Sequence, residues 1–427
     1  MVTPFGKILK GLIYIVLLLH IIYSKITYNQ LRILIKGGME MLNFNYSIPT
    51  EIFFGKGKIE VLGKEIKKYG NNVLVVYGGG SIKRSGIYDE VVKIFKDNDI
   101  NFWELSGVEP NPRVNTVRKG IKICRENNID FILAIGGGSS IDCSKVVAAG
   151  YYYKGDPWDI VLDSTKIENS LPLGTILTLA ATGSEMNSGA VITNLETNEK
   201  LGTRHPSMAP KFSILDPIYT FSVPKKHTAA GVADIMSHTF ENYFSKTKAA
   251  YLQDRMAESV LKTCIKYGKI AIENPESYEA RSNLMWASSL AINGILSYGK
   301  ETKWTVHPIE HELSAFYDIT HGVGLAILTP HWMKYILDDS TLDKFVEYGV
   351  NVWDINSKEE KYEIANKAIE KTREYFNFLG IPSTLKEVGI EKEKLEEMAK
   401  AATRKGNVGG FKPLTKEDVL KIYKLAF

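Results

Sequence analysis

The feature that most constrains this chain is a recurring unit: a short run of large apolar residues, a glycine-rich turn, then an amphipathic stretch. Val73 to Tyr77 reads VLVVY, followed by Gly78-Gly79-Gly80-Ser81 and a helical pattern through Ile87, Val91, Val92 and Phe95. Phe131 to Ile135 reads FILAI, followed by Gly136-Gly137-Gly138-Ser139-Ser140 and a helix through Val146 and Val147. Leu173 to Leu179 is a third strand candidate, running into Thr182-Gly183-Ser184-Glu185. Alternating strands and helices require a parallel sheet with crossover helices, and ligands of such sheets lie at the carboxyl ends of the strands.

After Pro224 the strand pattern stops. Thr228 to Phe244, Leu252 to Ile272, Tyr278 to Ile295 and Lys361 to Phe378 space their apolar residues as helices do. The expected organisation is an α/β domain over residues 41–225 and an all-α domain over 226–427, with the active site in the cleft between them. The chain has 427 residues, 44% of them hydrophobic, enough for a large core. Lys plus Arg is 53 and Asp plus Glu is 49, so the net charge of +4 favours no polyanionic partner. With no arginine-rich stripe and no nucleic-acid motif, nucleic-acid binding is not expected. Cys124, Cys143 and Cys264 show no paired spacing, which fits a reducing cytoplasm.

Residues 1–40 read as an extension. Gly11 to Tyr23 is apolar but shorter than the ~20 residues a spanning helix needs, and no small-residue cleavage site follows it. Membrane association is therefore not expected. Lys36-Gly37-Gly38, just before Met39 and Met41, can be encoded by a purine-rich stretch resembling a ribosome-binding site.

A strand, a glycine turn and a helix N-terminus together offer bare backbone N–H groups and the positive end of a helix dipole, both suited to phosphate. The candidates are Gly78, Gly79, Gly80 and Ser81 in one turn and Gly137, Gly138 and Ser139 in the next. The spacing is not the G-x-G-x-x-G fingerprint. Asp142 would repel phosphate if it pointed inward; it can contact a sugar hydroxyl or cap its helix.

Three of the eight histidines fall in HPIEHELSAFYDITH, His307 to His321. Upstream lie Asp234 and His238, four apart and so on one helical face; His307 and His311 share that spacing. His321 follows the turn Asp318-Ile319-Thr320 and opens another helix. One carboxylate and three imidazoles suit Fe(II), Zn(II) or another divalent first-row ion.

At these residues the sequence resembles the iron-containing alcohol dehydrogenases, and within them the butanol dehydrogenase branch. The resemblance runs from about Phe44 to the C-terminus and includes Asn111-Pro112, the GGGSSID and TGSE loops, Asp216-Pro217 and both histidine motifs in order. It implies a Rossmann-like N-terminal half and a helical metal-binding half, the architecture of dehydroquinate synthase. It assigns the metal, Fe(II) foremost, to Asp234, His238, His307 and His321, and makes His311 an additional active-site histidine that assists proton transfer. It places Gly137, Gly138 and Ser139 at the cofactor pyrophosphate, Thr178, Leu179 and Thr182 along the cofactor, and Lys200 near its ribose. Asn111 and Asp142 are counted with this cofactor set. It also implies a homodimer acting on small alcohols and aldehydes.

The reaction it implies is hydride transfer between a nicotinamide and a carbonyl carbon, with the ion as Lewis acid. Trp304, Phe316 and Tyr317 read equally as an apolar substrate wall or as core. One rival reading is a dehydroquinate synthase-type lyase or cyclase, which would need basic residues for a phosphorylated substrate. Another is a membrane-tethered binding protein, which would leave the metal ligands without a use. NADP(H) is expected over NAD(H), because the turn after Tyr77 carries glycines, Ser81, Lys83 and Arg84 but no carboxylate to meet a ribose 2′-hydroxyl.

A first prediction concerns the extension. Translation is expected to begin at Met39 or Met41, with residues 1–40 dispensable. Peptide mapping of the native N-terminus checks it; peptides from Gly11–Tyr23 recovered from native membranes would refute it.

Overall fold

The structure is a computed structural model and describes residues 40–427. The extension discussed above lies outside the described residues, apart from Glu40.

The α/β half begins with β1 (Glu51–Phe54), α1 (Leu62–Lys67) and β2 (Asn72–Tyr77). Next come α2 (Ser81–Arg84), α3 (Ile87–Asp97), β3 (Asn101–Leu105) and α4 (Val114–Glu126). Then follow β4 (Phe131–Gly136), α5 (Gly138–Gly150), α6 (Pro157–Leu162) and β5 (Leu173–Leu177). The half ends with β6 (Gly189–Asn194), β7 (Glu199–Arg204) and β8 (Phe212–Leu215). Six strands form one sheet in the order β1-β8-β5-β4-β2-β3, and every pairing in it is parallel. Burial explains the apolar runs: β2 and β4 sit in the middle of the sheet, and Val73–Tyr77 and Phe131–Ile135 are buried throughout. Both faces are covered, so neither strand alternates in polarity.

The antiparallel β6–β7 hairpin lies outside the sheet. It leans on α5 on one side and reaches the helical half on the other.

That half contains α7 (Lys225–Tyr243), α8 (Tyr251–Glu273), α9 (Tyr278–Ile292), α10 (Val306–Tyr317) and α11 (His321–Ile336). It continues through α12 (Leu342–Trp353), α13 (Lys361–Phe378), α14 (Leu395–Ala402) and α15 (Lys416–Ala426). Its own apolar core runs from Ala229 to Ala426. The spacing-based helices appear with shifts of one to three residues at their ends, and the one over Lys361–Phe378 has the expected bounds. The three cysteines are buried and unbridged.

Two close approaches bring the functional segments together. α7 packs on α11 so tightly that a Cβ on Gly322 would lie 2.0 Å from the carbonyl oxygen of Ala230. A Cβ on Gly231 would lie 2.4 Å from the carbonyl oxygen of Ala180, in the segment that leaves β5. Only glycine permits these contacts, because the obstacle in each case is backbone and cannot rotate away.

Gly322→Ala should therefore destabilise the fold by ~2 kcal/mol or more, beyond the helix-propensity gain of alanine. A lowered urea midpoint with unchanged slope would report this. An unchanged midpoint would mean that α7 and α11 do not approach this closely.

Candidate active site

The site forms where α7, α10 and α11 meet. Asp234 and His238 share one face of α7, while His307 opens α10 and His321 opens α11. Their Nε2 atoms converge on a single oxygen. Asp234 Oδ1 lies 3.6 Å from His238, 3.8 Å from His307 and 3.9 Å from His321. One ligand atom each from Asp234, His307 and His321 all fall within 4.8 Å of one another. A tetrahedral ion with bonds of ~2.1 Å would hold its donors ~3.4 Å apart. The spacing here is wider: Oδ1 to Nε2 runs from 3.6 to 3.9 Å, and the 4.8 Å grouping takes in Asp234, His307 and His321 but not His238.

The electrostatics point the same way. Burial pushes the Asp234 carboxyl up, but the imidazoles of His238, His321 and His307 outweigh it and hold the group at about 2. Asp234 is thus a buried anion. Its Oδ1 and His307 Nε2 are buried with no hydrogen-bond partner among the described residues. A desolvated carboxylate beside the unpartnered Nε2 of His307 is costly unless positive charge joins them: against burial, Asp234 and Glu241 raise that imidazole to about 9, and a divalent ion would take the place of its proton. The donor set therefore fits a divalent ion.

Outside the ring of donors, carboxylates steer the imidazoles. Glu241 Oε1 accepts from the backbone N–H of His307 (2.9 Å) and lies 3.1 Å from its Nδ1. Its Oε2 accepts from the backbone N–H of Thr305 at 2.7 Å. Glu310 contacts His321 Nδ1, and Lys200 Nζ lies 3.3 Å from the same nitrogen. Neither glutamate was singled out from sequence. The signal was present, however: Glu241 stands three residues after His238, and Glu310 three after His307, one helical turn on from each candidate ligand.

His311 lies beside His321, with ring centroids 5.5 Å apart. Burial, then the ammonium of Lys200, hold its pKa well below the usual imidazole value. Trp304 packs on the imidazoles, 4.5 Å from the His307 centroid and 5.5 Å from that of His238. Phe316 and Tyr317 instead pack against the helical core.

The glycine turns lie at the carboxyl ends of β2 and β4. A Cβ on Gly138 would sit 2.3 Å from Thr182 Oγ1, and one on Gly137 would sit 3.2 Å from Leu179 Cβ. The backbone N–H of Thr178 donates to Gly136 O at 3.0 Å. These residues, gathered from two loops, thus form one surface. Ser139 Oγ donates to Pro110 O, which ties the turn to the Asn111-Pro112 segment. Gly78 lies under Val108 O, the space at Gly79 is open, and Gly80 takes φ +85 ahead of Ser81.

Three residues sit differently from the simplest expectation. Asp142 neither caps α5 nor lies free toward a ligand: its oxygens accept from Ser184 Oγ at 2.5 Å and the backbone N–H of Val191 at 2.8 Å. It braces the TGSE turn and the β6–β7 hairpin against α5. The Asn111 amide donates across the cleft to Asp318 Oδ1 at 2.7 Å, where Arg113 Nη2 also lies at 2.8 Å. Lys83 is ion-paired: Glu104 of β3 lies 3.3 Å from its Nζ and also accepts from the Tyr77 and Tyr88 hydroxyls. Its charge is offset by a carboxylate from the neighbouring strand, which inspection of the turn alone does not reveal.

A parallel sheet with glycine turns at its strand ends, set against a buried carboxylate–imidazole cluster, is an arrangement suited to a nicotinamide-linked metal enzyme as a class. The chain belongs to the iron-containing alcohol dehydrogenase family. The family's sequence model, iron-containing alcohol dehydrogenase, matches residues 49–217, and that of the Fe-containing alcohol dehydrogenase C-terminal region matches 228–427. NADH-dependent butanol dehydrogenase A of Clostridium acetobutylicum is 68% identical over 389 residues, 91% of this chain and 100% of that protein. NADPH-dependent aldehyde reductase YqhD of Escherichia coli is 38% identical over 392 residues, 90% of this chain and 100% of that protein. The crystal structure of NADH-dependent butanol dehydrogenase A from Thermotoga maritima superposes with a TM-score of 0.87 at 38% identity, covering 91% of this chain and 99% of that one. The protein is thus an iron-type alcohol dehydrogenase/aldehyde reductase using a nicotinamide cofactor. The lyase or cyclase alternative is not favoured.

His321→Ala and His238→Ala should each lose metal and turnover together. His311→Ala should keep its metal and slow turnover by ~10²-fold or more. Elemental analysis after gel filtration, beside steady-state rates, separates the two. Full occupancy and normal rate in His321→Ala would overturn the ligand set.

Proposed function

We propose that the chain interconverts primary alcohols such as butanol with their aldehydes, and that Asp234, His238, His307 and His321 hold the ion. The observation that carries this reading is the convergence of three Nε2 atoms on the unpartnered Oδ1 of Asp234. When bound, the ion supplies Lewis acidity toward the carbonyl oxygen. The chain's own residues do the rest. The Gly137-Gly138 surface with Leu179 and Thr182 gives the cofactor diphosphate a close backbone approach. Thr178 and Lys200 line the cofactor further along. Trp304 covers His238 and His307 and keeps water from them. His311, neutral beside His321, takes or passes the proton that the alcohol oxygen gains or loses.

The same reading includes a homodimer in the cytoplasm. Met41, Leu42, Phe44 and Tyr46 are exposed ahead of edge strand β1, which suits self-association. No helix among the described residues is long and apolar enough to cross a membrane.

For the cofactor, NADP(H) over NAD(H) is supported by the open space at Gly79 and by Arg84, whose Nη1 lies 4.0 Å from a Cβ built on Gly80. The competing reading, NADH, is favoured by the names of two clostridial relatives at 68% and 66% identity and by the Glu104 carboxylate that offsets Lys83. The test is kcat/KM for butanal with each reduced cofactor, in wild type and Gly79→Asp. NADPH should be preferred at least ~10-fold, ~1.4 kcal/mol, and the aspartate should narrow or reverse that. A clear NADH preference in the wild type would overturn the NADP(H) reading and leave the metal site untouched.

A further inference from the structure

His321 has two ring nitrogens with different surroundings. Nε2 faces Asp234 Oδ1. Nδ1 faces away, toward a glutamate and a lysine that compete for it. Glu310, fully buried on α10, contacts Nδ1 through Oε2, and its other oxygen accepts from Ser314 Oγ at 2.5 Å. Lys200, buried on β7, brings Nζ to 3.3 Å of Nδ1 and 3.6 Å of Glu310 Oε2.

A neutral imidazole carries one proton. If Nδ1 carries it and donates to Glu310, the Nε2 lone pair is free to meet a cation beside Asp234. If Nδ1 instead accepts from the Lys200 ammonium, the proton sits on Nε2 and that position is closed to a metal. The two partners thus select opposite tautomers. We propose that Glu310 is a positioning residue that selects the ligand-competent tautomer of His321, by accepting its Nδ1–H against the competing Lys200 ammonium, which stands 3.3 Å from that nitrogen. Glu241 faces His307 Nδ1 in the same way, but among the described residues no lysine contends for that ring. The selection at His321 is therefore the contested one, and it is decided by a side chain from each half of the protein. The inference rests on the reading of the Asp234 cluster as a metal site.

The test is metal affinity, read without turnover. Metal-free protein is titrated with Zn(II) or Co(II) against a competing chelator, in wild type, Glu310→Leu, Lys200→Met, the double variant and His321→Ala. Glu310→Leu should weaken binding ~10- to 100-fold. Lys200→Met alone should bind at least as tightly as wild type. The double variant should regain most of the loss, because nothing is then left to hold the wrong tautomer; a residue that merely filled space would show no such rescue. Glu310→Gln keeps the volume and a hydrogen-bond acceptor but not the negative charge that favours a proton on Nδ1. It should weaken binding less, and be rescued by Lys200→Met as well, which keeps the test open if the leucine variant does not fold. Wild-type affinity in Glu310→Leu, or no rescue in either background, would overturn the proposal. Unchanged binding in His321→Ala would instead overturn the metal-site reading beneath it.

Discussion

The charge on Asp234 organises much of this molecule. A carboxylate this deeply buried is expensive, and it stays ionised only because the imidazoles of His238, His307 and His321 surround it. The surrounding architecture limits that cost. α7 carries Asp234 and His238, α10 and α11 begin at His307 and His321, and glycines at 231 and 322 let the segments close to backbone contact. Further carboxylates, Glu241 and Glu310, then orient the rings from behind. The helical half is therefore more than a lid on a nucleotide-binding sheet: its packing is arranged around one electrostatic problem.

The α/β half meets that problem through specific threads. The β6–β7 hairpin delivers Lys200 to His321. Arg404, from the segment after α14, pairs with Glu312 of α10 at 2.6 Å and lies 4.0 Å from Glu199 of β7. Buried Lys145 donates to Ser184 O, Ser184 Oγ, Asn187 Oδ1 and Gly189 O, which holds the TGSE turn beneath the cofactor surface. Burial lowers this lysine to about 8 although Asp142 and Glu185 favour its charge. The glycine-turn surface and the Asp234 cluster are thus parts of one hydrogen-bonded frame.

Much of this was legible in the sequence. Strands buried on both faces leave unbroken apolar runs, so β2 and β4 could be read directly; β5, interrupted by Gly174 and Thr175, was placed but carried two residues too far, to Leu179. The i,i+4 spacing of Asp234 and His238 placed them on one face before any coordinates. What could not be read was every contact between distant segments. The roles of Asn111 and Asp142 depend on partners 207 and 42 residues away, and no local pattern encodes those. The pairing of Lys83 failed to show for the same reason, because Glu104 meets it only once β2 and β3 lie side by side. The helices α12, α14 and α15 were not singled out from the sequence.

One bridge across the cleft has a consequence for how such a sequence can drift. Asp318 ends α10 in a left-handed conformation, φ 52, and its Oδ1 receives both Asn111 and Arg113. The arginine is largely enclosed, and its Nη1 already lacks a partner among the described residues. Loss of Asp318 alone would strand a guanidinium, and loss of Arg113 alone would leave the strained turn before His321 tied by a single amide. The three positions are therefore coupled: a substitution at any one of them removes a partner from the others, and its cost depends on what stands at those others.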